Sequence, residues 1–407
     1  MEVLYKKYRA YILICCAVLV STFVLWMPFI LRISSINGIQ TFDIDFRTVM
    51  KNWDGPLYII PAKTLYDVDN PVLQKAPLGL APGYFAAHLP GYPLTIAVLA
   101  PVLGFLKAML ASTVIASLGL FSFFYYFVKK LKLTSEPLLL TFVFMFITPR
   151  FFVVRSIGSP EPLFLLLILS SIFFFVRKKY VVASILGAVS LLTKTPGGLL
   201  FFTYVIFFLS EYVRTKKFDT RWLWILLIPG AFLGLSYFYS LQLGDFWAYF
   251  HSGDNIHLLF PPFQVFNYQA TWIGTGWLED IVLIYLLYGY TLINLLPFSG
   301  FGAHLRFFEN VKNGVDNLVH GEELHKVKEV FFYFTFVFFI VIILIQHRDV
   351  ARYSLPLLPI ALITFERFFT SKKFVLILIL FLPAIYMYAW NFMLTNAAPI
   401  TEWGAFM

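Results

Sequence analysis

Charge is what this chain has least of. Only 13% of its 407 residues are Asp, Glu, Lys or Arg, against about a quarter in an average soluble domain, and mean hydropathy is +0.79. That shortage excludes an ordinary soluble enzyme and predicts an all-α polytopic membrane protein. Ionisable groups are almost absent from the interiors of the long apolar runs. A charge there costs roughly 2.5–3.5 kcal/mol even on the mildest scale, so an ion-coupled transporter would be expected to keep some for function. Cysteine is nearly missing too. Cys15 and Cys16 are adjacent inside the first apolar run, where they cannot staple distant segments, and no zinc or redox spacing exists. The chain has no Asn-x-Ser/Thr sequon, which favours a prokaryotic cytoplasmic membrane over the endoplasmic reticulum. It also has no internal repeat, low-complexity tract or separate soluble domain, so residues 1–407 read as one integral membrane domain.

What is present is apolar sequence in spans. Runs near 11–32, 109–128, 136–150, 161–176, 180–194, 197–213, 221–240, 279–299, 329–346, 353–367 and 372–392 predict about 11 transmembrane helices. The first has a basic head like a signal peptide, but its length is that of a retained helix. Net charge is +9, yet a nucleic-acid partner needs a basic patch on a soluble surface, and here the basic residues separate apolar runs. KKYR at 6–9, KKLK at 129–132, RKK at 177–179, RTKK at 214–217 and Lys372-Lys373 fall in alternate loops, which puts the N-terminus in the cytoplasm and the C-terminus outside.

Segment 88–110 breaks a simple hydropathy reading. Counted as a span, it would turn the KKLK loop outward and reverse everything downstream. Its Pro90, Pro93, Pro101 and Gly104 instead predict an interfacial or re-entrant helix. The stretch 33–108 thus becomes one large extracytoplasmic loop with interfacial helices. A second, 241–278, is aromatic-rich as a surface meeting lipid or sugar would be, and 302–328 is cytoplasmic.

The first outer loop holds KNWDGPLYII at 51–60, with Asp54 between Trp53 and Gly55. Asp-Gly is a strong turn dipeptide, but WDG followed by Tyr58, Ala62 and Tyr66 resembles the WDxxxYxxIAxxGY signature of polyprenyl-phosphate-mannose-dependent mannosyltransferases. These are the relatives of the second mannosyltransferase of GPI-anchor synthesis, within the glycosyltransferase C superfamily. Further motifs follow in the same order. HLPGYP at 88–93 is similar to that family's FFPLYP, SPEPLF at 159–164 to YSESLF, LLTKTPGGLLF at 191–201 to LTRPTGLL, and RYSLPLLP at 352–359 to RYxLPxxP. The resemblance covers about residues 50–360. Lys194 stands where the family has Arg, and His88-Leu89 where it has a Phe pair.

The resemblance implies a helical bundle whose first outer loop covers a cavity facing outward. It also implies transfer of a sugar, with inversion, from a polyprenyl-phosphate donor to an acceptor hydroxyl on a lipid, glycan or protein. An acceptor hydroxyl needs a carboxylate to take its proton, and Asp54 is the expected base. Asp43 and Asp45, in TFDIDF, are its substitutes and, as a DxD pair, candidates for a divalent metal. The leaving phosphate needs no general acid, only fixed positive charge. Arg352, Arg348, Lys194 and Arg155 lie at predicted outer span ends, where an Arg fork can hold two phosphate oxygens, and Arg352 is expected first because it opens the RY motif that the family also carries. Glu161, Trp53, Tyr58 and His88 are candidates to bind or orient the substrate. A lipid or glycan transporter, or a non-catalytic subunit of a membrane glycosylation complex, stays open beside the enzyme; neither needs a base at Asp54.

Overall fold

A computed structural model describes residues 2–36, 38–40, 44–52, 54–253, 258–267, 278–300, 322–347 and 349–407. Among the described residues the architecture is all-α; the strands are one two-residue hairpin pairing Ser35 with Gln40. Seven helices among the described residues are long and apolar enough to cross a membrane: Tyr8–Leu31, Phe105–Lys130, Thr195–Thr215, Thr220–Gln242, Leu278–Phe298, Leu324–Leu344 and Lys372–Thr395. Five shorter apolar helices accompany them: Gly91–Leu103, Pro137–Phe146, Glu161–Val176, Tyr180–Thr193 and Leu355–Thr364. The outer surface is that of a chain built for hydrocarbon. Val98, Val102 and Leu380 are 76%, 86% and 66% exposed, and water would disfavour such contiguous apolar faces.

Cross-contacts sort the helix ends into two groups. At one end Tyr11 meets Tyr125 with ring centroids 5.2 Å apart, Thr134 donates to Glu366 at 2.9 Å, and Arg214 pairs with Glu329 at 3.0 Å. At the other, Trp26 Nε1 donates to the Ser156 carbonyl at 2.8 Å, and Tyr239 Oη donates to the Ala86 carbonyl at 3.0 Å. Short helices crowd this second end: Arg47–Met50, Asp54–Thr64, Pro71–Gln74 and Gly91–Leu103. Residues 396–407 fold back over them as a strap. Ala398 N–H donates to the Lys51 carbonyl at 2.6 Å, and the Lys63 ammonium donates to the Ala405 carbonyl at 3.1 Å.

Proline and glycine divide two stretches that hydropathy reads as continuous. Segment 136–150 is two helices, Pro137–Phe146 and Pro149–Val154, because Pro149 offers no N–H to continue the first and starts the second instead. Segment 88–110 turns sharply at Gly104, whose φ of +72° is open to a residue without Cβ. Gly91–Leu103 then folds back on the start of Phe105–Lys130, where Tyr92 Oη donates to the Met109 carbonyl at 2.8 Å.

Candidate active site

The Asp54–Thr64 helix begins at Asp54 itself, whose negative charge suits the positive end of a helix. What allows Asp54 to reach the bundle is the glycine after it. A Cβ on Gly55 would lie 3.1 Å from the Gly158 carbonyl oxygen, and one on Gly158 would lie 2.4 Å from the Met109 sulfur. Two bare backbones therefore press together. The same approach sets Asp54 against the segment that runs Ser159-Pro160 into Glu161, the first residue of Glu161–Val176. Gly91 repeats the device, since a Cβ there would meet Thr193 Oγ1 at 2.4 Å. It packs the HLPGYP segment against the residue before Lys194.

Arg352, in a one-turn helix after residue 348, closes the group. Its Nη1 donates to Asp54 Oδ2 and its Nε to Glu161 Oε1. Lys194 Nζ reaches the same Glu161 oxygen at 2.7 Å. Ser159 Oγ donates to Glu161 Oε2, and Ser159 N–H donates to Tyr92 Oη at 3.0 Å. Two cations and two carboxylates form one balanced cluster drawn from four separate segments. Its members differ in access. The Glu161 side chain is 2% exposed, whereas Asp54 keeps 30%, so Glu161 is an enclosed anchor and Asp54 the carboxylate a substrate can touch.

Burial alone would raise the Asp54 carboxyl. The Arg352 guanidinium outweighs it and holds the group below the usual carboxylate value. Arg352 itself is driven the other way: burial works against its charge, but Asp54 and Glu161 keep its pKa well above the ordinary one. Both groups are charged at neutral pH.

Beside the cluster lies an aromatic wall. Tyr58, one turn after Asp54, meets the His88 ring edge-on with centroids 4.8 Å apart and Tyr92 at 5.2 Å. His88 is 4% exposed. Burial, aided by Arg352 and opposed by Asp54, lowers its pKa from 6.5 to about 4. A histidine kept neutral in the fold but free to protonate when unfolded stabilises fully above about pH 6.5 and less as pH falls towards 4, a total of about 3 kcal/mol at 1.36 kcal/mol per unit. Wild-type thermal stability is therefore expected to decline between pH 6.5 and 4, and His88→Phe to flatten that decline. An unchanged slope in the variant would contradict the assignment.

Searched against protein-family models, curated proteins and solved structures, the chain finds no significant match in any of the three. The site therefore rests on its own geometry.

That geometry gathers Asp54, Glu161, Lys194, Arg352, Tyr58 and His88, from the expected set. Asp45 is elsewhere, its Oδ1 taking the Arg47 N–H at 2.8 Å as an ordinary turn. Asp43, Trp53 and Arg348 lie outside the described residues. No group of three metal-ligand side chains gathers among the described residues, and Asp54 and Glu161 already carry cationic partners.

Arg155 is turned inward. It is fully buried, donates to Ser21 Oγ at 2.9 Å, and lies over the Phe152 ring at 4.7 Å. No carboxylate faces it among the described residues. Ser21 also bonds the Val18 carbonyl and Thr22 contacts Ser156, so removing the guanidinium strands neither hydroxyl. Arg155→Met is expected to leave stability within about 1 kcal/mol of wild type; a loss of about 3 kcal/mol or more in thermal unfolding would show that the guanidinium anchors this end of the fold.

Two charged residues join the site without having been singled out. Arg150 donates to both Asp349 oxygens, at 3.1 Å from Nε and more closely from Nη2, and its guanidinium covers the Phe392 ring at 4.0 Å. The Asp349 carbonyl accepts the Arg352 N–H at 3.0 Å, so this pair fixes the turn that carries Arg352. The signal was the three-residue spacing of Asp349 and Arg352 within HRDVARY.

Proposed function

We propose that this protein is an inverting glycosyltransferase that moves a sugar, mannose by the resemblance above, from a polyprenyl-phosphate donor to an acceptor hydroxyl at the extracytoplasmic face of a membrane. The observation that carries the reading is Arg352 bridging the accessible Asp54 and the enclosed Glu161, with Lys194 on the same Glu161 oxygen. A base and two phosphate-binding cations in one cluster are what the reaction needs. The short helices and the strap then form the outer layer, and four of the shorter apolar helices, all but Gly91–Leu103, join the seven long ones as about 11 spans, their remaining depth made up by backbone buried within the bundle. The N-terminus is cytoplasmic and the C-terminus extracytoplasmic, in a prokaryotic cytoplasmic membrane.

In this mechanism the donor's phosphodiester carries one negative charge and approaches Arg352 and Lys194. Asp54 holds Arg352 until then. As the phosphate takes over the guanidinium, the Asp54 carboxylate is released to face the acceptor and its basicity rises. The acceptor oxygen attacks the anomeric carbon while Asp54 takes its proton. The bond from that carbon to the phosphate oxygen breaks, and its electron pair leaves with the phosphate. The products are the glycosylated acceptor with inverted configuration and polyprenyl phosphate with one more negative charge, which Arg352 and Lys194 stabilise. Glu161 positions both cations, and Ser159 and Tyr92 hold Glu161.

Binding tests the first half of this scheme. Purified protein in detergent is expected to bind short-chain polyprenyl-phosphate mannose but not the matching polyprenol, and Lys194→Met is expected to weaken that binding by about tenfold or more. Equal binding of the polyprenol would remove the phosphate site from the account.

A further inference from the structure

Beside the cluster, His88 carries a polar atom with no partner. His88 Nδ1 is buried and makes no hydrogen bond among the described residues, although buried polar atoms in native folds are nearly always paired. The ring is instead held by packing: Tyr58 edge-on at 4.8 Å, Tyr84 at 5.5 Å and Phe85 at 6.1 Å. Its backbone is fixed as well, because the His88 carbonyl accepts the Tyr66 hydroxyl. The imidazole is thus rigidly aimed and chemically unused.

Its position limits what it could meet. Tyr58 lies four residues after Asp54 on the same helix, so the two side chains share a face about one turn apart. His88, packed on Tyr58, stands one turn along from the proposed base. The neighbouring charged groups, Asp54 and Arg352, are engaged with each other. Burial keeps the ring neutral at physiological pH, so it offers no charge to a phosphate. A neutral imidazole nitrogen in an aromatic cradle is suited to a hydroxyl, which can donate to it or accept from it.

We infer that His88 is a specificity-determining contact that hydrogen-bonds one sugar hydroxyl beside Asp54. The inference rests on the transferase reading above and adds to it the atom that recognises the sugar. The hydroxyl has two sources of the same chemistry, the transferred sugar of the donor and a sugar of the acceptor.

The test uses donors and acceptors lacking one hydroxyl at a time. Wild-type protein is expected to discriminate against one such deoxy compound in kcat/KM by roughly tenfold or more. His88→Phe, which fills the cradle without a nitrogen, is expected to lose that discrimination while still transferring the parent sugar. His88→Asn, whose amide sits near the Nδ1 position, is expected to restore part of it. Loss among the deoxy donors assigns His88 to the transferred sugar, and loss among the deoxy acceptors assigns it to the acceptor. Discrimination that survives in His88→Phe at every hydroxyl overturns the inference alone. Wild-type protein that transfers no lipid-linked sugar overturns the transferase reading and this inference together.

Discussion

Asp54→Asn is expected to lower kcat by about 10²–10⁴-fold, the usual contribution of a positioned base, while tightening donor binding. Both effects come from one contact. In the structure Asp54 occupies the Arg352 guanidinium, and in the proposed mechanism a donor phosphate competes for it. The amide cannot take the acceptor's proton, but neither does it hold Arg352 with a charge, so the phosphate meets less competition. Steady-state kinetics and direct donor binding on the same preparation separate these changes. A variant that loses donor binding and turnover in parallel would make Asp54 a binding residue. Unchanged turnover would remove it from the mechanism.

Arg352→Met should damage stability as well as activity. It leaves Glu161, 2% exposed, with Lys194 as its remaining cation, and leaves Asp54 without its ion-pair partner. Breaking a buried pair costs 3–5 kcal/mol as a rule. Because Lys194 stays and Asp54 is partly open, about 3 kcal/mol is expected here, read as a lowered unfolding temperature in detergent. Arg352→Lys separates charge from geometry. It restores the positive charge, and with it much of the stability, but one ammonium cannot bridge two carboxylates and a phosphate as the planar guanidinium does. Donor binding should stay weak. Full donor affinity in Arg352→Lys would show that charge alone suffices.

Long apolar runs announced the helices because a helix in hydrocarbon satisfies its own backbone, and that signal lies in composition. The interruptions were harder. Pro149 divides 136–150, and Gly104 folds 91–103 back on its successor, yet hydropathy averages across both. In the site, Asp54 and Arg352 were legible because each lies in a motif, WDG and RYSLPLLP, that resembles the family signature. What the sequence could not display was which glycines face each other. Gly55 and Gly158 are far apart in sequence, yet the bare Gly55 backbone lies against the Gly158 carbonyl while Met109 fills the space beside Gly158, and this approach sets Asp54 near Glu161. The direction of a long side chain was hidden for a similar reason. Arg155 and Arg150 both follow the same apolar run, but the structure turns one towards Ser21 and the other towards Asp349, a choice made by packing. The orphan nitrogen of His88 is visible only once every neighbour has been placed.

The central claim is chemical turnover, and the most direct measurement is acceptor-dependent release of polyprenyl phosphate. Purified wild-type protein would be incubated with a short-chain polyprenyl-phosphate mannose, with parallel reactions using other lipid-linked sugars and a mixture of lipid and glycan acceptors. The account predicts release that needs an acceptor, gives a product of inverted anomeric configuration and disappears in Asp54→Asn. Donor that binds but is never cleaved, whatever the sugar or acceptor, would contradict it.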